Sequence, residues 1–291
     1  MTSTGDAQIV ERGFQPYDGP RSGVPGAVRS VTWQSVKAAL GLGRPARHKI
    51  FPFLAVFIAY VPAIVFVGVV VLFPVDLDPA DFADYPDTYG NITLAIILFA
   101  AFVGPEVLIP DRRNGMLALY LSTPLDRRTY LAAKGIAASL ILGLVTLGPP
   151  LLLLIGYTAE SVGPDGLDGW LTVFLRILVS AIAVSAPLAA ISMAASSLTD
   201  RKAFAVIGVV LTIFGLSGLS AALVEGADWS RNVYLIDPLS MSLELVYRIF
   251  GSDNSEFSDL STAAVLGSNI AWTVGGLAVV AWRYSRLVIA R

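Results

Sequence analysis

The sequence has no cysteine and a single histidine, His48. That excludes a disulfide framework, a Cys/His zinc site and a cysteine nucleophile. Charge is scarce as well: 14% of residues are charged, against roughly 25% in an ordinary soluble domain. Net charge is −2 and the isoelectric point about 5.4, so no basic excess points to nucleic acid. No G-x-x-x-x-G-K-[ST] loop occurs, and the chain therefore has no recognisable phosphate cradle. Strand alternation at ~10-residue spacing is missing too, which argues against a transmembrane β-barrel. What is abundant is apolar: 55% hydrophobic residues, a further 26 glycines and a mean hydropathy of +0.70. These values exclude a disordered or collagen-like chain and an ordinary soluble enzyme.

Six runs are near or above the ~20 residues that cross ~30 Å of hydrocarbon: Ile50–Phe73, Asn91–Leu108, Gly135–Tyr157, Trp170–Leu198, Ala203–Val224 and Thr262–Trp282. Backbone groups in lipid must be satisfied within the segment, so the runs predict helices. The fold class is all-α and polytopic, with residues 1–27 as a polar, flexible cytoplasmic tail and 28–291 as one transmembrane domain. Met1–Gly26 has no early apolar core, so it is not read as a signal peptide. Of the 20 Lys and Arg residues, 17 fall on one side of this topology, while 15 of the 22 acidic residues fall in the opposite loops. The positive-inside rule then puts both termini in the cytoplasm of a cell whose plasma membrane the chain crosses six times.

Three segments outside the spans carry pattern. In Val28–Leu42, the residues Val28, Val31, Val36, Ala39 and Leu40 share one helical face, opposite Ser30, Gln34 and Lys37, which predicts an interfacial helix. Between spans two and three, Pro110 is expected to open a short helix with Met116, Leu117, Tyr120 and Leu121 as its apolar face. Thr123 would N-cap the following helix, with Pro124 at its first position and Asp126 completing a capping box. The third segment lies in the roughly 37 residues between spans five and six. There Asp237 fits an N-cap, Pro238 the first helical position and Gly251 the stop, with Leu239, Leu243, Val246 and Phe250 at helical spacing. Three turns are too short to span, so this helix lies at the outer interface or dips back into the protein.

The stretch after span two resembles type-2 ABC transporter permeases (the transmembrane subunits of ABC-2 type exporters). It has the acid–Arg pair Asp111–Arg112, then Gly115, the Leu-rich Leu117–Leu121, the Thr123–Pro124 step and Lys134. The Asp237–Pro238–Leu239 helix is similar to that family's outer Pro-containing segment. Met116 departs from the pattern, where a small polar residue often follows the glycine. The resemblance implies that the chain is not an enzyme and binds no cofactor or metal itself. ATP and Mg would be bound by two separate ABC ATPase subunits docked beneath a pair of permeases, alike or not, in the lipid bilayer. Export would follow, and the few intramembrane charges point to an amphipathic, lipid-like or drug-like cargo rather than a small ion. On this reading the ATPase-coupling residues are Glu106, Asp111, Arg112, Arg113, Gly115, Thr123, Pro124, Arg127 and Arg128, and an outer gate is formed by Asp237, Pro238, Leu239, Leu243 and Val246.

Some charges keep two readings. Glu106, beside Pro105, is either a latch paired with Arg112 or Arg113 or a carboxylate exposed at the interface. Arg176, an intramembrane charge, either snorkels to the outer headgroups or pairs with Asp165, Asp168, Glu225 or an anionic substrate. His48 joins Arg44, Arg47 and Lys49 as a membrane-surface residue. The alternatives to a permease are a non-transporting scaffold or sensor that binds through its basic loops, and a membrane-embedded enzyme. The latter would need polar side chains clustered at one depth, whereas the acids here are scattered over external loops.

Overall fold

The computed structural model describes residues 19, 22–43, 45–46, 49–72, 84–121, 124–252 and 255–286, and every element among them is helical. The elements are α1 (Gly23–Ala39), α2 (Ile50–Leu72), α3 (Tyr85–Asn91), α4 (Thr93–Arg113), α5 (Met116–Leu121), α6 (Arg127–Thr146), α7 (Gly148–Ala159), α8 (Gly166–Leu198), α9 (Lys202–Ala221), α10 (Pro238–Phe250) and α11 (Thr262–Ser285). A π-turn over Ala222–Gly226 extends α9, and a 3₁₀ turn over Arg231–Ile236 leads into α10. Among the described residues, six helices are long and apolar enough to cross a membrane: α2, α4, α6, α8, α9 with its π-turn, and α11. The chain is a multi-pass, all-α membrane protein. Most of the tail, Thr123 and His48 lie outside the described residues, as do Arg44 and Arg47.

The 33-residue α8 is the axis of the bundle, and α4, α6, α9, α10 and α11 all pack on it. Its buried side is built from small groups, including Ser180, Ser185, Ser192, Ala189 and Ala190. In lipid, close van der Waals approach replaces the hydrophobic effect between helices, and small residues permit it. Gly104 of α4 shows how tight the approach is: a Cβ there would sit 2.3 Å from the Ser192 carbonyl oxygen. Its N–H also donates to Ser192 Oγ at 2.8 Å. In α4 and α8, 67% of the spanning window is buried, against 17% in α2 and α9 and 22% in α11. The outer helices instead present Phe53, Phe57, Phe204, Phe214 and Val274 outward.

The helix ends sort by charge. The Arg112–Arg113 end of α4, the Arg127 start of α6, the α8–α9 junction at Arg201–Lys202 and the Arg283 end of α11 are joined by direct bonds; this is the basic end. The opposite, acidic end holds α3, α10 and the loops around them.

Several sequence boundaries need correction. α1 begins at Gly23, inside the segment read as tail. Its buried face includes Thr32 and Ser35 along with Val31, Val36 and Ala39, and it packs on α6. The second span continues through Pro105 and Pro110 to Arg113, so Pro110 does not open the short helix. The Asn114 N–H reaches back to the Pro110 carbonyl at 2.9 Å, and the heavy burial of α4 holds a helix that two prolines would otherwise weaken. The third span starts at Arg127 and breaks at Leu147 into α6 and α7. Pro149 and Pro150 have no N–H to return to the preceding turn, but they are tolerated in the first turn of a new helix.

Candidate coupling site at the basic end

The corner between α4 and α6 is fixed by three local devices. Gly115 takes φ +69°, a left-handed conformation that costs any other residue steric strain, and turns the chain from α4 into α5. Asp126 then caps α6: its carboxylate accepts from the Thr129 N–H at 2.7 Å, and the Thr129 hydroxyl is bonded back to the Asp126 backbone. The Thr129 hydroxyl and amide hold the Asp126 carboxyl below its usual range. The cap is therefore Asp126, and Pro124 precedes the helix as a turn residue instead of opening it. A cap at Asp126 puts the reciprocal hydroxyl, Thr129, at the third helical position, which the Thr123 register does not.

Beneath the corner lies a buried ionic cluster. Lys134 is 3% exposed, and its Nζ stands 2.6 Å from Asp111 Oδ2. The same ammonium donates to Ser35 Oγ of α1 at 2.8 Å. Asp111 also accepts from the Tyr130 hydroxyl at 2.9 Å. The rings of Tyr120 and Tyr130 stand 5.7 and 5.6 Å from Lys134 Nζ, within cation–π range. Burial, and after it the Asp111 charge, pushes the Tyr120 phenol up, so it stays neutral. Four helices, α1, α4, α5 and α6, thus meet on one ammonium.

Arg112 faces the other way. Its guanidinium donates to the carbonyls of Ser197 at 2.7 Å, Ser196 and Thr199, and stands 3.3 Å from Asp200. These carbonyls end α8, where no amide of the helix can reach them and a cation meets the negative end of the dipole. Lys202 at the start of α9 bonds Glu106, which overturns both Arg112 and Arg113 as its expected partner. Arg127 Nη1 donates to the Ser285 carbonyl at the end of α11 at 3.0 Å. Arg113, Leu119, Pro124 and Arg128 are exposed on the corner.

At the acidic end, α10 is held inside the protein. Asp237 is 2% exposed and accepts from the amides of Leu239 and Ser240 and from the hydroxyls of Ser240 and Ser217. Gly251 stops the helix at φ +72°. Pro238, Leu239 and Val246 are buried, and Leu243 is half-buried. Asn269 of α11 donates to Ser242 Oγ and to the Ala183 carbonyl in the middle of α8. Tyr247 donates to Asp87 of α3 at 2.8 Å. Arg176 neither pairs with Asp165, Asp168 or Glu225 nor simply reaches outward: Nη1 donates to the Phe250 carbonyl at 2.7 Å. Its cation caps the C-terminal end of α10.

The sequence model of one family, described as ABC-2 family transporter protein, matches residues 21–287. The chain belongs to the ABC-2 transporter family. No curated protein sequence matches it.

For this ABC-2 permease, the structure gathers Asp111, Arg112, Arg113, Gly115, Pro124, Arg127 and Arg128 at one corner but divides them by task. Asp111, Arg112 and Glu106 point into the bundle, while Arg113 and Arg128 point out of it. Reasoning from sequence passed over Ser35 and Tyr130 and did not pair Lys134 with Asp111. One signal was available: Thr32 and Ser35 interrupt the apolar face of α1, and a polar residue on a face about to be buried needs a partner. Both have one, since Thr32 donates to the Ala133 carbonyl at 3.1 Å and Ser35 receives Lys134.

Proposed function

We propose that this chain is the transmembrane subunit of an ATP-driven exporter. It works beside a second permease, alike or homologous, and above two ABC ATPase subunits that bind ATP and Mg. The basic end faces the cytoplasm, both termini lie there, and the membrane is the plasma membrane. The observation that carries this reading is the α4–α6 corner. Its exposed side chains ride on a turn whose base is clamped by the buried Asp111–Lys134–Ser35 cluster and by Arg112. A corner that only fixed topology would need basic residues but no such foundation. A foundation is what transmitting ATPase movement into α4 and α6 requires. At the other end α10, wedged between α8, α9 and α11, serves as the outer gate. The few intramembrane charges favour an amphipathic cargo over a small ion.

The test is affinity purification of the tagged chain from gently solubilised membranes, with quantitative mass spectrometry of what accompanies it. Equal amounts of an ABC ATPase subunit are expected. The double variant Arg113→Glu/Arg128→Glu should release that subunit while leaving the permease folded, because neither side chain is part of the buried cluster. Retention of the ATPase at wild-type levels would overturn the docking role. Absence of any ATPase from the wild-type preparation would overturn the exporter reading.

A further inference from the structure

An apolar slot of about 810 Å³ opens between α9 and α11, with α8 as its floor. Ala194 and Ala195 form the floor, Phe204, Gly208 and Thr212 one wall, and Trp272, Gly275 and Val279 the other. Leu235 and Ile236 close it toward the acidic end. Two of the hydroxyls that border it are spent within the protein: Thr212 donates to the Gly208 carbonyl at 2.8 Å and Ser268 to the Leu235 carbonyl at 2.6 Å. Along its length the slot therefore offers an occupant mainly apolar surface, with the Thr199 hydroxyl at the basic end.

Its extent along the bundle is informative. Phe204 to Thr212 spans about 12 Å and Ser268 to Val279 about 16 Å at ~1.5 Å per residue. That is close to one leaflet, half of ~30 Å of hydrocarbon. The slot starts at the basic end, where α8 finishes and α9 begins, and stops near mid-depth.

Cations stand at its mouth. Arg201 places its guanidinium 5.7 Å from the ring centroid of Phe204, a wall residue. Arg283 lies four residues beyond Val279, on the same face of α11 one turn nearer the end. Neither forms an ion pair with an acid among the described residues, and two acids at this end are bonded elsewhere: Asp200 to Arg112, Glu106 to Lys202. A second copy of this chain inserted in the same orientation would bring the same basic residues to the same depth. Like charges there disfavour a second copy and favour an anion.

We propose that this slot holds one acyl chain of an anionic phospholipid from the leaflet at the basic end, with its phosphate held by Arg201 and Arg283. The lipid is resident, and would occupy the slot whatever cargo the permease carries.

The experiment reconstitutes the full chain, with the partners that accompany it, in equimolar dioleoyl-phosphatidylglycerol and dioleoyl-phosphatidylcholine. Retained lipids are counted by native mass spectrometry. Wild type should retain phosphatidylglycerol in preference to phosphatidylcholine. Arg201→Gln/Arg283→Gln should lower that preference about tenfold while retention of phosphatidylcholine persists. Gly275→Phe should abolish retention of both lipids. A Cβ at Gly275 meets no atom within 4 Å, so the ring has room to fill the slot without displacing the helices. Gly208→Leu blocks from the opposite wall, where a Cβ would stand in ordinary contact, 3.6 Å from Ala195 Cβ. Equal retention of the two lipids by wild type would overturn the proposal, as would unchanged retention in both slot-filling variants. So would loss of a permease copy from the Gly275→Phe complex with phosphatidylglycerol still bound, since the slot would then belong to a second copy.

Discussion

Replacing Lys134 by methionine tests the foundation of the corner. The ammonium is 3% exposed, Asp111 is 14% exposed, and 2.6 Å separates them. Methionine keeps the apolar stem and removes the charge, leaving Asp111 with the Tyr130 hydroxyl and Ser35 without its donor. Breaking one side of a buried pair costs about 3–5 kcal/mol, because the remaining charge is stranded out of water. At roughly 2–4 °C per kcal/mol for a chain of this order of size, the midpoint should fall by about 10 °C. The matched variant Asp111→Asn/Lys134→Met removes both charges. Apolar or neutral replacement of a whole buried pair is often nearly neutral, so the double variant should recover most of the loss. Thermal unfolding of the purified full chain, followed by tryptophan fluorescence and by size-exclusion of the heated sample, reads both. If Lys134→Met melts within about 1 °C of wild type, or if the double variant is no better than the single one, the pair is not the clamp described here.

Three further outcomes are expected. Arg112→Lys keeps the charge but not the planar fork that reaches three carbonyls; charge-assisted bonds contribute about 1.5–3 kcal/mol each, so a loss of about 3 kcal/mol should appear in the same melting assay. Thr129 holds the Asp126 carboxyl below its usual value, so the cap is complete above the ordinary carboxylate pKa of about 4 and is lost only as pH falls through the lower, folded value. Amide exchange at 127–130, corrected for intrinsic rate, should stay protected from pH 7 to about 4, and loss of protection between pH 6 and 5 would contradict this. Arg176→Met removes the donor to the Phe250 carbonyl; the guanidinium is more than a third exposed, so a discounted ~1 kcal/mol and about fivefold faster exchange over residues 245–252 are expected, with unchanged exchange as the refuting result.

What could be read from sequence followed from local physics. The six spans, the Asp237–Pro238 cap and the Gly251 stop each depend on consecutive residues, and the structure has all of them. The misread features depend on partners far along the chain. Pro110 looks like a helix start until α4 is seen to run through it, with the Asn114 N–H bonded back to the Pro110 carbonyl. Thr123–Pro124 and Asp126 both have the chemistry of a cap, and only the Thr129 hydroxyl decides between them. Glu106 has two arginines within two turns, yet it bonds Lys202, 96 residues away. Arg176 caps a helix 74 residues on. For a long charged side chain, sequence fixes the reach but not the direction, and the errors at Glu106 and Arg176 are errors of direction.

The bonds at the basic end are unequal, and the inequality locates where the permease can yield. α1, α4 and α6 share the buried Lys134 cluster, and Arg112 fastens α4 to the end of α8. Separating α4 from α6 or from α8 strands a buried charge at a cost of about 3–5 kcal/mol. α9 is joined to α4 at this end by Lys202 and Glu106, and the lysine is 43% exposed. Only the lysine end of that pair is open to water, Glu106 being 11% exposed, so it is a weaker joint than the buried ones, and only 17% of the α9 window is buried. Movement delivered to the corner would therefore carry α4, α6 and α8 as one body and be taken up by displacement of α9 against them. Spin labels at Ala118 and Ile207, both exposed, would follow that displacement. Their separation should change between nucleotide-free and nucleotide-trapped complexes, while labels at Ala118 and Leu140, which sit on the rigid body, keep theirs. The opposite pattern would place the yielding joint within the clamped helices and refute the ranking of these bonds.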